Sequence, residues 1–178
     1  MQRGRLLHTV ARALEATGIL PGQLEIEITE STLQSEHHCL VALQALERNG
    51  VTPAIDDFGT GYSCLSSLKM LPIDRLKIDR AFVRDVSRDP NDAAIVEAII
   101  NMAHKLDLGI VSEGVESIAQ EEFLRARGCD AAQGYLYACP MPPGAVADLL
   151  RPLLASLAIA ALATASLNAR TSSRRWRR

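Results

Sequence analysis

The chain has 178 residues, of which 48% are apolar, 22% charged and 4% aromatic. This composition is typical of a soluble globular domain and excludes a disordered or fibrous chain. The formal net charge of the chain is -2. General DNA or RNA binders carry an excess of basic residues that neutralises phosphates, so we expect no DNA partner.

Helices and strands are predicted to alternate along the chain. Apolar spacing and helix-closing glycines predict helices over residues 6–17, 36–48, 92–106 and 117–127 and from 145 onward. Asp92 and Ser117 are the expected caps of the third and fourth helices. Short apolar runs predict five strands over residues 24–28, 51–55, 75–78, 108–111 and 131–133.

This alternation predicts an α/β protein with a mostly parallel sheet. An open nucleotide-binding sheet usually has a GxGxxG or GxxxxGK[ST] loop, and neither motif occurs in the sequence. Instead, polar residues follow strand after strand, namely Glu27, Glu30, Asp56, Asp57, Lys77, Asp79, Glu113, Glu116 and Gln133. In a (β/α)-barrel all strand ends open on one face, where barrel enzymes carry their sites. We therefore expect these side chains to converge.

Carboxylates gathered in one place repel each other unless cations lie between them. Oxygen ligands without a His or Cys set favour Mg²⁺ or Mn²⁺. The adjacent pair Asp56 and Asp57 can reach two ions, and Lys77 can polarise water or neutralise a phosphate oxygen. A single Asp or Glu in such a position is more often a solvated charge or a helix cap, but the recurrence at successive strand ends favours a shared site. The pattern predicts metal-assisted hydrolysis of a phosphate ester.

The histidines and cysteines are not expected to act as ligands. The predicted helices contain all four histidines, His8, His37, His38 and His104. The cysteines lack CxxC spacing and are expected to be small buried residues, at Cys39, Cys64, Cys129 and Cys139. Without a recognisable signal peptide, a cytoplasmic location is predicted.

At these residues the sequence closely resembles the EAL family of bacterial cyclic-di-GMP phosphodiesterases. The matching strings are LEIEITES (24–31), IDDFGTGYS (55–63), LPIDRLKIDRAFV (71–83), VSEGVE (111–116) and GCDAAQGY (128–135). The resemblance implies a TIM-type (β/α)-barrel, cyclic-di-GMP as the substrate and its linear dinucleotide as the product. It also implies two divalent ions.

The resemblance also implies a role for each matched position. Metal ligands are Glu27, Asp56 between the ions, and Asp57. Lys77 and Glu113 are expected near the attacking water as catalytic residues. Gln133 and Asp79 are expected to line the site, whereas Glu30 and Glu116 support a loop. That loop, from Phe58 to Ser67, couples the metal site of the family to a dimer interface, so a homodimer is expected.

Two features depart from the family pattern: the Glu-Ala-Leu triplet and a metal-binding Asn of an early strand are absent. About five of eight strands are expected, so residues 1–150 are predicted to form an EAL domain incomplete at its N-terminus. Barrels of this type usually need 200 residues or more. The chain alone is therefore predicted to be a weak or inactive phosphodiesterase. The alternatives are a non-catalytic module that binds nucleotide or protein, and a degenerate fragment.

Residues 151–178 differ in character, with six arginines and no acidic residue. The stretch 152–169 is uncharged, but its alanines and polar residues make it a poor membrane span. A closing helix followed by a basic end is predicted, and membrane association is not expected.

Overall fold

A computed structural model describes residues 3–35, 39–61 and 68–152 of the chain. Five strands form one sheet in the order β1-β2-β3-β4-β5, and every neighbouring pair is parallel. The strands are β1 Glu25–Thr29, β2 Thr52–Phe58, β3 Arg75–Ile78, β4 Gly109–Ser112 and β5 Ala131–Ala132. The predicted α/β class with a parallel sheet is confirmed.

Helices connect these strands. The described helices are α1 Arg3–Thr17, α2 Glu30–Ser35, α3 Cys39–Arg48, α4 Arg80–Val83, α5 Pro90–Lys105 and α6 Ile118–Ala126, with a 3₁₀ turn at Pro21–Gln23. Helical backbone also spans 143–152, here called α7. The short helices α2 and α4 were not predicted, because neither has enough turns to show an apolar period.

The helix termini follow local side-chain chemistry. Ser117 Oγ accepts from Gln120 N and the Gln120 side chain accepts from the Ser117 N–H, which forms a capping box before α6. Asp89, not the predicted Asp92, caps α5 by accepting from Asn91 N at 2.8 Å, because Pro90 takes the first helical position. Asp92 instead lies in the first turn of α5.

The apolar core lies between the sheet and its helices. A large cluster joins β2, β3 and β4 to α5 and α6, with Leu76, Ile100 and Ile110 almost fully buried. A smaller cluster joins α1 and α3 to β1 through Val10, Leu46 and their neighbours. Burial of these apolar side chains stabilises the packing of the helices on the sheet, and it determines which side of each strand faces the core.

Backbone contacts divide the chain into two compact units, Met1–Ala138 and Cys139–Arg178. The first contains the whole described sheet, and the second contains α7, where Arg151 pairs with Asp148 at 3.0 Å. The predicted domains, 1–150 and 151–178, remain a prediction. None of the helices in the described part of the chain is both long and apolar enough to cross a membrane.

Candidate metal and catalytic site

Most of the predicted metal-binding and catalytic residues lie at or directly after the carboxyl ends of neighbouring strands, and Glu27 lies in the middle of β1. Glu27 lies in β1, Asp56 and Asp57 in β2, and Lys77 in β3. Glu113 directly follows β4, and Gln133 directly follows β5. Because all five strands are parallel, these positions share one edge of the sheet.

Lys77 lies at the centre of this edge. Its side chain is only 4% exposed, and its Nζ lies 2.5 Å from Glu27 Oε1 and 3.4 Å from Asp56 Oδ1. Nζ also contacts Glu113 Oε1. One buried ammonium thereby joins carboxylates from three different strand ends, which its three N–H donors can satisfy.

A bulge in β2 brings two consecutive carboxylates to the same side of the sheet. The register passes from Ile55 opposite Leu76 to Phe58 opposite Ile78, so β2 has one residue more than β3. Asp57 has φ 53°, a left-handed conformation that is rare for a residue with a side chain. In a regular strand Asp56 and Asp57 would point to opposite faces.

The bulge creates a group of ligands that fits a divalent cation. One carboxylate oxygen from each of Asp56, Asp57 and Glu113 lies within 4.8 Å of the others. Hard cations such as Mg²⁺ and Mn²⁺ prefer oxygen donors of this kind. Glu27, which was also predicted as a ligand, is outside this group, and its carboxylate is held by Lys77.

Burial and neighbouring charges shift the acidity of the cluster. Burial lowers the pKa of Lys77, but its hydrogen bonds to Glu113 and Glu27 outweigh this effect and leave the pKa above its ordinary value. Burial raises the pKa of Glu113 against the opposing effect of Lys77. Burial, the charge of Asp56 and a hydrogen bond with Asp79 raise the pKa of Asp57. Burial and neighbouring negative charge therefore disfavour the ionised forms of Asp57 and Glu113 in the metal-free cluster, as their raised pKa values indicate.

Two of the remaining predicted residues contact the cluster. Gln133 Nε2 donates to Glu113 Oε1 at 2.9 Å. Asp79 caps α4 by accepting from Ala81 N at 2.7 Å, and its side chain also meets that of Asp57.

The two predicted loop-supporting residues have different surroundings. Glu30 is 5% exposed and its Oε2 accepts from Gly59 N at 3.2 Å. Glu116 is exposed, and its backbone N–H donates a hydrogen bond to Gln120 Oε1 at 2.8 Å. Residues 62–67 of the loop lie outside the described residues.

Gln120 is a supporting residue that was not predicted from the sequence. It is 6% exposed, and its Nε2 donates to Arg84 O at 2.9 Å while its Oε1 accepts from Glu116 N and Ser117 N. It thus connects the loop after Glu113 to the end of α4. The S-x-x-Q spacing of a capping box was visible in the sequence, but its second role depends on tertiary contacts.

The histidines and cysteines of the described residues are apart from the cluster. His8 is exposed, and His104 Nε2 lies 3.5 Å from Asp130 Oδ2. Cys39 and Cys129 are half-buried, whereas Cys139 is exposed. The expectation of buried cysteines is therefore wrong for Cys139, which the sequence follows with three prolines within four residues. His37, His38 and Cys64 lie outside the described residues.

The parallel sheet and the carboxylate–lysine cluster at its strand ends define a class of α/β proteins with a candidate divalent-metal site. Sequence comparison gives the family within this class. The family model described as EAL domain matches residues 1–140, and the chain belongs to this family.

Individual relatives agree with this assignment. Cyclic di-GMP phosphodiesterase NbdA of Pseudomonas aeruginosa is 44% identical over 150 residues, which are 84% of this chain and 19% of that protein. The structure of the PaMucR phosphodiesterase in complex with c-di-GMP has 46% identity and a TM-score of 0.75, over 79% of this chain and 57% of the other. The manganese and cyclic-di-GMP complex of BlrP1 from Klebsiella pneumoniae has 34% identity and a TM-score of 0.71, over 75% and 34%.

This chain thus spans about a fifth of the length of curated relatives such as NbdA. Its family and fold follow from these matches.

Proposed function

We propose that the chain carries metal-binding and catalytic residues of an EAL-type cyclic-di-GMP phosphodiesterase, which hydrolyses cyclic-di-GMP to the linear dinucleotide. The observation that carries this proposal is the buried Lys77 ammonium among Glu27, Asp56 and Glu113, beside the bulged Asp57. Relatives named as cyclic-di-GMP phosphodiesterases support the choice of substrate.

Asp56 and Asp57, with Glu27 beside them, are the residues proposed to hold Mg²⁺ or Mn²⁺, next to the Glu113 carboxylate. Such ions, when bound, supply positive charge to the phosphate and favour ionisation of an attacking water at neutral pH. The oxygen-only donor set supports this assignment. The manganese complex of BlrP1 supports it independently.

Lys77 is proposed to act as a fixed positive charge. Its raised pKa keeps the ammonium protonated at neutral pH, so it is unsuited to accept a proton. A buried ammonium held by three carboxylates has little freedom to reorient. It can therefore orient a water molecule or neutralise a phosphate oxygen without rearranging during the reaction.

Glu113 is proposed to accept the proton of the attacking water. A carboxylate whose pKa is raised by burial is a stronger base than an exposed one. Gln133 Nε2 donates to Glu113 Oε1 at 2.9 Å and fixes the orientation of the carboxylate. Asp79 is proposed to line the site beside Asp57.

Further parts of the proposal concern the setting of the site. The hydrogen bond from Gly59 N to Glu30 supports a loop-stabilising role for Glu30. The hydrogen bond from Glu116 N to Gln120 Oε1 supports the same role for Glu116. We also propose that a homodimer forms through the loop 58–67, and that the protein acts in the cytoplasm.

Calorimetric titration of the 178-residue chain with cyclic-di-GMP, with Mn²⁺ and with EDTA, tests the function. We expect binding that requires Mn²⁺ and that weakens at least about tenfold in Asp57→Asn, because this variant removes a ligand charge. Asp74→Asn is the matched control, because Asp74 is an exposed acid that directly precedes the N-terminus of β3, away from the cluster. This variant should bind cyclic-di-GMP as tightly as the unsubstituted chain. Absence of Mn²⁺-dependent binding to the unsubstituted chain would overturn the proposal.

A further inference from the structure

Gly59 is held between a carboxylate and an aromatic ring, two residues after Asp57. On one side its N–H donates to Glu30 Oε2 at 3.2 Å. On the other side a Cβ placed on Gly59 would lie 2.9 Å from Phe82 Cε2 and 3.4 Å from Ile99 Cδ1. The backbone of Gly59 therefore rests directly on the Phe82 ring, with Ile99 of α5 beside it.

Helix α4 contacts the chain around Asp57 at two points. Asp79, its cap, and Phe82 are three residues apart and therefore lie on the same side of this single helical turn. The Asp79 carboxylate lies close to that of Asp57, while the Phe82 ring supports Gly59. Helix α4 thus contacts the bulged segment at the Asp57 carboxylate, through Asp79, and at the Gly59 backbone, through Phe82.

The backbone of Asp57 needs such support. Asp57 has φ 53° and Gly59 has φ 98°, so two left-handed residues flank the buried Phe58. A non-glycine residue persists in this conformation only when its surroundings hold it there. Loss of either contact at Gly59 would allow the bulge to relax and the Asp57 carboxylate to move away from Asp56 and Glu113.

We propose that Phe82 is a positioning residue for the metal site. Its ring, supported by the buried Ile99, holds Gly59 against Glu30 and thereby keeps the Asp57 carboxylate beside that of Asp56. Phe82 touches neither metal nor substrate in this role and acts only through Gly59. This inference rests on the metal-binding role of Asp57 in the proposed function.

The test compares Phe82→Ala with Phe123→Ala in the 178-residue chain. Phe123 is a matched control because it is also half-buried against the same core, but on α6, with its ring 3.5 Å from the Arg127 guanidinium carbon. Two readouts are needed, the Mn²⁺ affinity from calorimetry and the hydrogen-exchange rate of the Gly59 amide in the metal-free chain.

We expect Phe82→Ala to lower the Mn²⁺ affinity by about tenfold, the effect typical of residues that orient metal ligands. The Gly59 amide should exchange faster in the same variant. Phe123→Ala should reduce stability while leaving both readouts unchanged. Phe82→Leu, which retains an apolar side chain at this position, should recover most of the affinity.

Equal losses of affinity in Phe82→Ala and Phe123→Ala would overturn the proposal, as would unchanged affinity in Phe82→Ala. If the alanine variants fail to fold, Phe82→Leu and Phe123→Leu give the same comparison with smaller losses. If the unsubstituted chain binds no Mn²⁺, the proposed function fails. The exchange rate at Gly59 then decides the role of Phe82 separately, since only a selective increase in Phe82→Ala supports it.

Discussion

Lys77 Nζ lies 2.5 Å from Glu27 Oε1 across the intervening strand β2. Toward the opposite ends of the same two strands, Arg75 Nη1 lies 2.9 Å from Glu25 Oε2. The side chain of Lys77 is 4% exposed, whereas that of Arg75 is 51% exposed. The strands therefore carry two ion pairs of similar length but different access to water.

Lys77→Met should destabilise the metal-free chain by about 2 kcal/mol, because it leaves the carboxylates of Glu27, Asp56 and Glu113 without their shared cation. The loss of unfolding free energy should be smaller than for a fully buried ion pair, because the Glu27 side chain remains partly hydrated. Urea unfolding gives the free energy. Mn²⁺ should recover part of the loss, because a bound cation replaces the missing charge.

Arg75→Met is the control for this prediction. An exposed ion pair contributes about 1 kcal/mol or less, so this variant should unfold at nearly the same urea concentration as the unsubstituted chain. Equal losses in the two variants would show that burial does not distinguish the pairs.

Gly61→Ala tests the support of the loop by Glu30. A Cβ on Gly61 would lie 2.7 Å from Glu30 Oε1, so the carboxylate must move and its bond from Gly59 weakens. We expect about a tenfold loss of Mn²⁺ affinity, measured by calorimetry, with a stability change below about 1 kcal/mol.

Gly22→Ala provides the comparison, since a Cβ there would meet only Gly50 O, at 3.8 Å. Its Mn²⁺ affinity should equal that of the unsubstituted chain. A normal affinity in Gly61→Ala would contradict the role of Glu30.

Much of the sheet could be predicted from the sequence because local patterns are strong there. The strand over residues 75–78 was predicted with its observed bounds, Arg75–Ile78, and Ser117 was identified as a cap. The convergence of Asp56, Lys77 and Glu113 also followed, because parallel strands place their carboxyl ends together.

Other features depend on tertiary contacts that a local pattern does not reveal. The bulge at Asp57 depends on pairing with β3, so residues 51–55 were predicted as the strand although β2 continues to Phe58. The contact of Phe82, on α4, with Gly59, directly after β2, joins segments that are distant in the sequence, so no local pattern predicts it. The ion pair of Glu27 with Lys77, which leaves Glu27 outside the group of Asp56, Asp57 and Glu113, also depends on side-chain positions that the sequence does not specify.

Gly134→Ala should destabilise the chain severely. A Cβ there would lie 2.2 Å from Val115 O and 2.3 Å from Val115 N, and both are backbone atoms that cannot rotate away. Val115 N also donates to Gln133 O at 3.1 Å, so a shift would detach Gln133 from Glu113. We expect a loss of about 3 kcal/mol in urea unfolding.

Gly144→Ala is the matched variant, because a Cβ at Gly144 would meet nothing within 4 Å. Its stability should change by less than about 0.5 kcal/mol. A small effect in Gly134→Ala would mean that the segment after β5 does not hold Gln133 in place.

Turnover of cyclic-di-GMP by the 178-residue chain should be weak or undetectable even where Mn²⁺-dependent binding is measurable. Exposure in the cluster rises toward β1, from 4% for Lys77 on β3 through 22% for Asp56 on β2 to 45% for Glu27 on β1. Water on that side weakens the electrostatic interactions that phosphoryl chemistry requires. Chromatography of the linear dinucleotide after long incubation measures the rate, and Lys77→Met and EDTA should each abolish any product. Substantial turnover would mean that the open β1 side does not limit the reaction.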